Sequence, residues 1–339
     1  MKIKENYSLL KFNSFRINVS AKFFVEVFSV SELVEVLSEN IIKKEPILIL
    51  GGGSNILFTK DYGGLVIKNS IKGFEVARKT DNDIFIEAGA GSLWDDLVGY
   101  CVNNNYGGIE NLTLIPGTVG AAPIQNIGAY GQELKDSFYS LNGILLDNLT
   151  LKTFFKDECY FGYRDSIFKN ELKNKFVITS VTLRLNKNFY PNIDYSALKE
   201  EIKEKNLSKI SIGEVSKAVR NIRKRKLPDP SEIGNAGSFF KNPEISSALF
   251  IEIQNKFPNI KGYTQKSGMV KVSAAWIIEQ CGWKGKSIGN ASVHINQPLV
   301  IVNINNRANG SEILYLANQI KDSVKNTFNI ILEEEVNIV

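Results

Sequence analysis

Short apolar runs that end at glycine-rich turns are the first regular feature of the chain. Residues 46–50, Pro-Ile-Leu-Ile-Leu, enter the turn Gly-Gly-Gly-Ser-Asn at residues 51–55. Residues 84–88 enter Gly-Ala-Gly-Ser at residues 89–92 in the same way. An apolar run bounded by such a turn predicts a buried β-strand. Alternating or continuous apolar residues predict further strands at residues 174–185, 298–303 and 330–339.

Four segments have apolar residues three or four positions apart, which predicts amphipathic helices. They are residues 93–100, 212–225, 270–280 and 311–328. In the first, Leu93, Leu97 and Tyr100 share one face. Ser311 is placed to cap the last helix, and the Cys281-Gly282 pair is placed to end the third.

Residues 111–134 fit neither an ordinary helix nor an ordinary strand, because glycine, alanine and proline are so frequent there. Glycine permits positive φ and a close approach of the backbone, and buried irregular backbone needs polar partners. We therefore expect this central stretch to wrap around a ligand and to direct bare N–H groups towards it.

The last strand carries three consecutive carboxylates. Alternation along a strand would place Glu333 and Glu335 on one face and Glu334 on the other. Acidic residues that protect a sheet edge and a functional acid are both consistent with this pattern.

The composition is that of a globular protein with two or three domains, since 339 residues exceed the usual size of one core. The net charge of +5 suits anionic small molecules and is too weak to indicate nucleic acid. We find no secretory signal and no run of apolar residues long enough to span a membrane, which predicts a cytoplasmic protein. Three distant cysteines predict reduced, buried thiols.

The sequence lacks residues that several classes of catalytic or binding site require. A single histidine, His294, argues against a Ser-His-Asp triad or a histidine metal site, and we expect no metal. The Rossmann fingerprint needs a third glycine where this chain has Ile56 and Trp94, so a plain strand–turn–helix junction explains both glycine turns as well.

Three polar residues are candidates for chemistry, each with a simpler alternative. Arg164 could bind a carboxylate or phosphate, or it could pair with Asp165. Lys226 could bind phosphate, or it could belong to a solvated basic helix end. Ser238 could be catalytic, or it could cap the backbone of its glycine-rich loop.

The motifs taken together resemble the UDP-N-acetylenolpyruvoylglucosamine reductase family over nearly the whole chain. They are NSF at residues 13–15, LILGGGSN, IPGTVGAAPIQNIGAYG, CYFGYRDSIF, KLPDP, GNAGSFFKNP, VSAAWIIEQCGWKG, VH with Gln297 near Pro298, and LEEEV. Each motif alone would be weak, but their common order makes coincidence improbable.

The resemblance implies an α+β fold with a two-part FAD-binding region of the PCMH/vanillyl-alcohol-oxidase type and a separate α+β substrate-binding domain. The FAD-binding subdomains would be residues 1–67 and 68–213, and the UDP-sugar domain residues 214–328. Strand 329–339 would pack back on the flavin side.

The resemblance also implies that FAD is bound non-covalently and is reduced by NADPH, and that it then reduces the enolpyruvyl ether of a UDP-sugar. The residues assigned to FAD are Gly51, Gly53, Ser54, Asn55, Pro116, Gly117, Val119, Gly120, Gln125, Asn126, Gly128, Ala129 and Tyr130.

For catalysis, the resemblance assigns Arg164 to the substrate carboxylate, Ser238 to proton donation and Glu335 to the enolic intermediate. It assigns Tyr195, Lys226, Asn242 and Gln297 to the UDP diphosphate and to closure over the substrate. The family commonly has proline where this chain has Glu334, so a shift of one position would exchange Glu334 for Glu335.

Two other functions remain open at this point. One is an FAD oxidase of the same fold that uses oxygen as electron acceptor. The other is a nucleic-acid-binding module that uses residues 220–226, for which the charge gives no support. We expect no nucleic-acid or membrane partner, and we expect a monomer.

Overall fold

The computed structural model describes residues 2–39, 45–202 and 210–339. The chain divides into two compact units, each assembled from several stretches. Unit 1 comprises Met1–Tyr7, Ala21–Gly53 and Tyr62–Arg225, and unit 2 comprises Ser8–Ser20, Ser54–Asp61 and Lys226–Val339. The division into three domains implied by the resemblance stays a prediction.

Strands and helices are numbered in chain order. The strands are β1 (Lys4–Ser8), β2 (Ser20–Val27), β3 (Ile47–Leu50), β4 (Ile56–Leu57), β5 (Tyr62–Asn69), β6 (Phe74–Lys79), β7 (Asp83–Gly89), β8 (Gly128–Ala129), β9 (Gln132–Glu133), β10 (Phe138–Leu145), β11 (Leu151–Phe155), β12 (Phe176–Asn186), β13 (Gly234–Ser238), β14 (Glu244–Ile245), β15 (Gly262–Thr264), β16 (Val270–Val272), β17 (Ser287–Ile288), β18 (Ala291–Val293), β19 (Val300–Asn303) and β20 (Asn337–Ile338). The helices are α1 (Val30–Ser38), α2 (Trp94–Asn103), α3 (Leu134–Ser137), α4 (Ser196–Ile202), α5 (Ile212–Lys226), α6 (Ser247–Lys256), α7 (Ala274–Gln280) and α8 (Gly310–Phe328).

The first sheet of unit 1 has the order β1-β2-β5-β3, in which β5 pairs in parallel with both β2 and β3. The predicted strand at residues 46–50 is confirmed as β3. Helix α1 buries Leu33, Val36 and Leu37 against this sheet. The glycine turn at residues 51–53 therefore begins at the carboxyl end of a parallel strand.

The second sheet of unit 1 is antiparallel, with the order β11-β10-β12-β7-β6. The strands predicted at residues 84–88 and 174–185 are confirmed as β7 and β12. Helix α2 packs on this sheet, but Leu93 is not on its buried face. Leu93 occupies the N-cap position and is 51% exposed. The buried face consists of Trp94, Leu97, Val98 and Cys101.

Helices α4 and α5 form a smaller cluster in unit 1. The predicted helix at residues 212–225 is confirmed as α5, with Val215, Val219 and Ile222 buried. These residues pack with Leu198 of α4. Because α5 belongs to unit 1 up to Arg225, the division between the units follows this helix.

Unit 2 contains two antiparallel sheets, ordered β13-β19-β18-β17 and β14-β16-β15, and the parallel pair β20-β4. The strand predicted at residues 298–303 is confirmed as β19. Helix α8 buries one apolar stripe, consisting of Ile313, Leu316, Ala317, Ile320, Val324 and Phe328.

Two predicted helix starts in unit 2 are wrong. Residues 270–272 are strand β16, because Val270 pairs with both Ile245 and Thr264, and α7 starts only after Ser273. Helix α8 is capped by Asn309 and not by Ser311. The Asn309 side chain accepts the Glu312 N–H group at 2.9 Å, which forms one half of a capping box.

Burial agrees with the expected character of two cysteines. Cys101 and Cys159 are fully buried, and burial raises the pKa of each thiol to about 12. Cys281 is only partly buried. In the described parts of the chain, no helix is long and apolar enough to cross a membrane, and no cluster of metal-ligating side chains occurs.

Candidate active site

The predicted site residues are divided between the two units. Unit 1 contains Gly51, Gly53, Pro116, Gly117, Val119, Gly120, Gln125, Asn126, Gly128, Ala129, Tyr130, Arg164 and Tyr195. Unit 2 contains Ser54, Asn55, Lys226, Ser238, Asn242, Gln297 and Glu335.

Two glycine-rich segments of unit 1 lie backbone to backbone. A Cβ atom added to Gly52 would come within 2.9 Å of the Gly117 Cα atom, and one added to Gly51 would overlap the Thr118 hydroxyl. Gly53 and Gly117 have φ values of 63° and 122°, a region that favours glycine. The turn after β3 and the central stretch therefore expose bare backbone side by side, which suits a ligand that approaches the main chain closely.

Several backbone amides of the central stretch already have partners. Val119 and Gly120 donate their N–H groups to the carbonyls of Ser92 and Ala90, both at 2.9 Å. The N–H group of Asn126 bonds within its own turn at 3.3 Å. The expectation that bare N–H groups face a ligand is therefore wrong at these three positions, because a neighbouring loop satisfies the first two and the local turn satisfies the third. Their assignment to the cofactor stays a prediction.

The contact between the central stretch and β7 predicts an effect on stability. Gly120→Ala should lower the free energy of unfolding by about 1–3 kcal/mol, as overpacked buried sites do. The added Cβ atom would lie 2.5 Å from the Ala90 Cβ and 3.1 Å from the Ala90 Cα. Urea unfolding of the flavin-free protein, followed by circular dichroism, measures the change.

Gly99→Ala is the matched control for this substitution. Gly99 lies inside α2, and a Cβ atom there would meet no other atom within 4 Å. This change should stabilise the protein by about 0.5–1 kcal/mol, since alanine is the better helix former. Equal destabilisation by both substitutions would contradict the role assigned to the contact with Ala90.

Arg164 is held against the second half of the central stretch. Its backbone is left-handed, with φ at 54°, and its Nη2 atom donates to the Gly128 carbonyl at 2.7 Å. The Asp165 carboxylate, considered above as a partner for Arg164, accepts a hydrogen bond from Asn170 Nδ2 at 2.9 Å. The turn that carries Arg164 is thus joined to the predicted cofactor segment.

Two arginines of α5, named above only as part of the basic segment at residues 220–226, fix Leu114. Leu114 has φ at 62°, and its N–H group donates to the Asp95 carboxylate at 2.6 Å. Arg220 donates to both oxygens of Asp95, at 3.1 and 2.8 Å. Arg223 donates through Nε to the Leu114 carbonyl at 3.2 Å. A leucine with a left-handed backbone conformation persists only where its surroundings hold it. Asp95, Arg220 and Arg223, which we call the Leu114 clamp, therefore set the start of the central stretch.

Arg223 also contacts Tyr130 at the other end of the central stretch. Its side chain forms a hydrogen bond with that of Tyr130. Burial lowers the pKa of Arg223, the charges of Tyr130 and Asp95 oppose this shift, and the charge of Arg164 adds to it. Burial raises the pKa of the Tyr130 hydroxyl. Arg223 therefore lies beside Tyr130 and within electrostatic range of Arg164, and two positive charges in one region suit an anionic ligand.

The segment before α4 is fastened to the same end of the central stretch. The rings of Tyr195 and Tyr130 meet edge to face, with centroids 5.3 Å apart. Asn192 donates to the Gly131 carbonyl at 3.0 Å. Asn111 donates to the carbonyls of Tyr130 and Asn192, at 2.9 and 2.7 Å. Tyr195 therefore lies beside a residue that the resemblance assigns to the cofactor.

Ser238 and Glu335 are neighbours in unit 2. Ser238 ends β13, where it pairs with Val300 of β19. The Glu335 N–H group donates to the carbonyl of Phe239 at 2.8 Å, and the Glu335 carbonyl accepts from Asn55 Nδ2 at 3.2 Å. The structure thus brings together the predicted proton donor, the predicted acid and one predicted cofactor contact.

The other two acids of the last segment form ion pairs. Glu333 pairs with Lys241 at 3.0 Å, and Glu334 pairs with Lys321 at 2.7 Å. The strand predicted over residues 330–339 is wrong for most of its length, because regular pairing is confined to Asn337–Ile338. The alternation argument therefore does not apply, and the choice between Glu334 and Glu335 as the functional acid stays a prediction.

The residues predicted to bind diphosphate in unit 2 have mixed surroundings. Lys226 is exposed at the end of α5. The Asn242 side-chain oxygen accepts from the N–H group of Ala274, the first residue of α7, at 3.0 Å. The Gln297 oxygen accepts from the Leu299 N–H group at 3.5 Å. The amide oxygens of Asn242 and Gln297 therefore have roles within the fold.

The chain is similar to known proteins over its full length. Residues 229–339 match the family described as UDP-N-acetylenolpyruvoylglucosamine reductase, C-terminal domain, and residues 21–148 match FAD binding domain. Proteins named UDP-N-acetylenolpyruvoylglucosamine reductase from Flavobacterium johnsoniae and Amoebophilus asiaticus are 48% and 46% identical, and each match covers 100% of both chains. The crystal structure of UDP-N-acetylenolpyruvylglucosamine reductase from Thermus caldophilus has a TM-score of 0.70 at 22% identity, and the match covers 100% of this chain and 99% of that one.

The match to an FAD-binding domain, with two glycine-rich segments in backbone contact, defines the class as FAD-dependent oxidoreductases. The predicted α+β fold with an FAD-binding region and a separate C-terminal domain is confirmed by these matches and by the solved structure, and the PCMH/vanillyl-alcohol-oxidase type of that region stays a prediction. The chain belongs to the UDP-N-acetylenolpyruvoylglucosamine reductase family, because it shares 48% and 46% of its residues with two members over their full length.

Proposed function

We propose that this chain catalyses the NADPH-dependent reduction of UDP-N-acetylglucosamine enolpyruvate to UDP-N-acetylmuramate, in peptidoglycan precursor biosynthesis. The observation that carries the proposal is the 48% identity to the Flavobacterium johnsoniae reductase over the full length of both chains. FAD, bound non-covalently, supplies hydride transfer from NADPH to the alkene of the enolpyruvyl ether. The protein supplies binding, charge stabilisation and a proton.

Arg164 is the residue we assign to the substrate carboxylate. Hydride addition to the alkene places negative charge on the carbon next to the carboxylate and on the carboxylate itself. A guanidinium group stabilises that charge with two parallel hydrogen bonds. The contact with the Gly128 carbonyl orients the Arg164 side chain before the substrate arrives, which lowers the cost of reorganisation.

Ser238 is the residue we assign to proton donation. The carbon that carries the developing charge must receive one proton, because the alkene gains one hydride and one proton overall. A serine hydroxyl is a weak acid, so it transfers this proton well only to a strongly basic carbon. Glu335 donates its backbone N–H group to the carbonyl of Phe239, the residue that follows Ser238. We propose that the Glu335 side chain forms a hydrogen bond with the enolic intermediate.

Tyr195, Lys226, Asn242 and Gln297 are proposed to bind the UDP part of the substrate. The Lys226 ammonium group is a mobile point charge suited to a diphosphate. Because the amide oxygens of Asn242 and Gln297 accept backbone hydrogen bonds, their NH₂ groups are the donors we assign to the substrate. We also propose that the protein acts as a cytoplasmic monomer, which sedimentation equilibrium would test.

An anaerobic titration tests the proposed function. NADPH should bleach the flavin absorbance of the purified protein, and the enolpyruvyl sugar nucleotide should then restore it rapidly. An oxidase of the same fold would bleach but would recover its colour only when oxygen is admitted. A colourless protein that takes up no FAD, or the absence of recolouring by the sugar nucleotide, would refute the proposal.

A pair of substitutions tests the assignment of the acid. Glu335→Gln should slow recolouring about 10²-fold, the lower end of the range for a group in direct acid–base contact with substrate. Glu334→Gln removes a partly exposed ion pair with Lys321 and should cost at most about 1 kcal/mol of stability, with little change in rate. Stopped-flow absorbance measures both variants, and the opposite ranking would move the assignment to Glu334.

A further inference from the structure

Lys68 is an unusual residue at the carboxyl end of the parallel sheet of unit 1. It lies on β5, directly between Glu26 of β2 and Leu50 of β3 in the strand register. Its Nζ atom donates to the Gly51 carbonyl at 2.8 Å. The side chain is half-buried, whereas that of the nearby Lys72 is exposed. We therefore looked for the partners of Lys68, because partial burial of an ammonium group is unfavourable unless hydrogen bonds or opposite charges compensate it.

Two charged side chains act on Lys68, Glu26 on β2 and Lys72 between β5 and β6. Burial lowers the pKa of Lys68, the Glu26 carboxylate opposes that shift, and the Lys72 charge adds to it. Glu26 also accepts a hydrogen bond from the Ser70 hydroxyl at 2.6 Å. The Lys68 ammonium group therefore donates to the first carbonyl of the glycine turn and also feels the charge of a carboxylate in its own sheet.

The hydrogen bond from Lys68 to the Gly51 carbonyl matters because the glycine turn is closely packed on its other side. Gly51 and Gly52 are pressed against Thr118 and Gly117, so the turn has no room to shift towards the central stretch. Lys68 binds the Gly51 carbonyl on one side of the turn, and the Cα atoms of the turn are packed on the other side. Both contacts restrict the backbone of the turn and with it the direction of its N–H groups.

We propose that Lys68 is a positioning residue of the cofactor site, which holds residues 51–53 in the conformation that binds FAD. This inference rests on the proposed function, since it takes FAD as the ligand of that turn. Lys68 acts through the Gly51 carbonyl and needs no contact with the cofactor itself.

The test is the affinity of the full-length, flavin-free protein for FAD, measured by quenching of flavin fluorescence. Lys68→Met should raise the dissociation constant about 10- to 100-fold, as expected for a lost hydrogen bond from a charged group. Lys72→Met is the matched control, because it removes an exposed positive charge four residues away, and it should change the constant by no more than about twofold. If Lys68→Met does not fold, Lys68→Gln replaces it under the same criterion.

Two further readouts separate positioning from general stability. At saturating FAD, NADPH should bleach the flavin of Lys68→Met at about the wild-type rate, because the substitution changes only the fraction of the protein that carries FAD. Lys68→Arg should restore affinity, and its affinity should persist at alkaline pH where wild type weakens, since arginine keeps its charge. The weakening in wild type should begin below the pH at which an ordinary lysine titrates, because burial lowers the pKa of Lys68.

The results that would overturn the role of Lys68 differ from those that would refute the proposed reductase function. Wild-type protein that takes up no FAD would refute the proposed function. Wild-type protein that binds FAD while Lys68→Met binds it equally well, or while Lys72→Met is equally impaired, would overturn the role of Lys68 and leave the function intact.

Discussion

Ser238→Ala should leave NADPH-driven bleaching of the flavin intact and slow the recolouring by the enolpyruvyl sugar nucleotide about 10²- to 10⁴-fold. The two half-reactions differ in what they require. Bleaching needs only hydride transfer from NADPH, whereas recolouring needs a proton at the substrate carbon. Rapid-mixing absorbance under anaerobic conditions measures each half-reaction separately.

Ser247→Ala is a suitable control for the loss of a hydroxyl in the same unit. Ser247 is exposed at the start of α6, and its hydroxyl donates to the Gly268 carbonyl at 3.1 Å. Both half-reactions should keep their wild-type rates in this variant. If Ser238→Ala slowed bleaching and recolouring by the same factor, Ser238 would be a structural residue and the proton would have another source.

Arg164→Met should lower kcat/KM for the enolpyruvyl substrate about 10²- to 10³-fold, the range for removal of one donor that stabilises charge in the transition state. The bleaching half-reaction should change much less, since NADPH presents no carboxylate to this residue. Steady-state kinetics with the sugar nucleotide, together with the bleaching rate, distinguishes the two effects.

The control for Arg164 is Arg184→Met in the same unit. Arg184 is exposed on β12 and pairs with Asp83 at 2.7 Å. Its loss should alter kcat/KM by no more than about twofold, because Arg184 is not among the residues assigned to the substrate or the cofactor. An Arg164→Met enzyme with unchanged kcat/KM, or one with both half-reactions equally slow, would remove Arg164 from the substrate site.

Much of the fold could be predicted from the sequence because its elements have strong internal patterns. The strands β3 and β19 are built on continuous apolar runs, β7 is an apolar run interrupted by Glu87, and α5 has clear helical spacing. The errors arose where the pattern was short. Residues 270–272 continue the helical spacing of α7, yet tertiary pairing with β14 and β15 makes them a strand.

The site could be predicted only in part. Motifs indicated Arg164, Ser238 and Glu335, but no motif shows that Glu334 has a lysine partner on α8. That pair joins residues 13 positions apart through a helix and a loop, and only the folded structure brings them together. Composition likewise suggested free amides in the central stretch, although neighbouring loops bind several of them.

The arginines of α5 were missed because the end of this helix resembles a solvated basic face. A finer use of helical spacing would have identified them. Ser216, Arg220 and Arg223 are four and three residues apart, so they form a polar stripe beside the buried apolar one. Ser216 and Arg223 indeed contact Thr113 and Leu114.

The Leu114 clamp has a consequence for the energetics of cofactor binding. Ordering a flexible backbone costs about 1–2 kcal/mol for each residue that loses its freedom. Asp95 and Arg223 hold Leu114 through side chains of the protein itself, and neither contact depends on a ligand. The entrance to the central stretch is therefore preorganised, so more of the intrinsic interaction energy with FAD, its proposed ligand, remains as affinity.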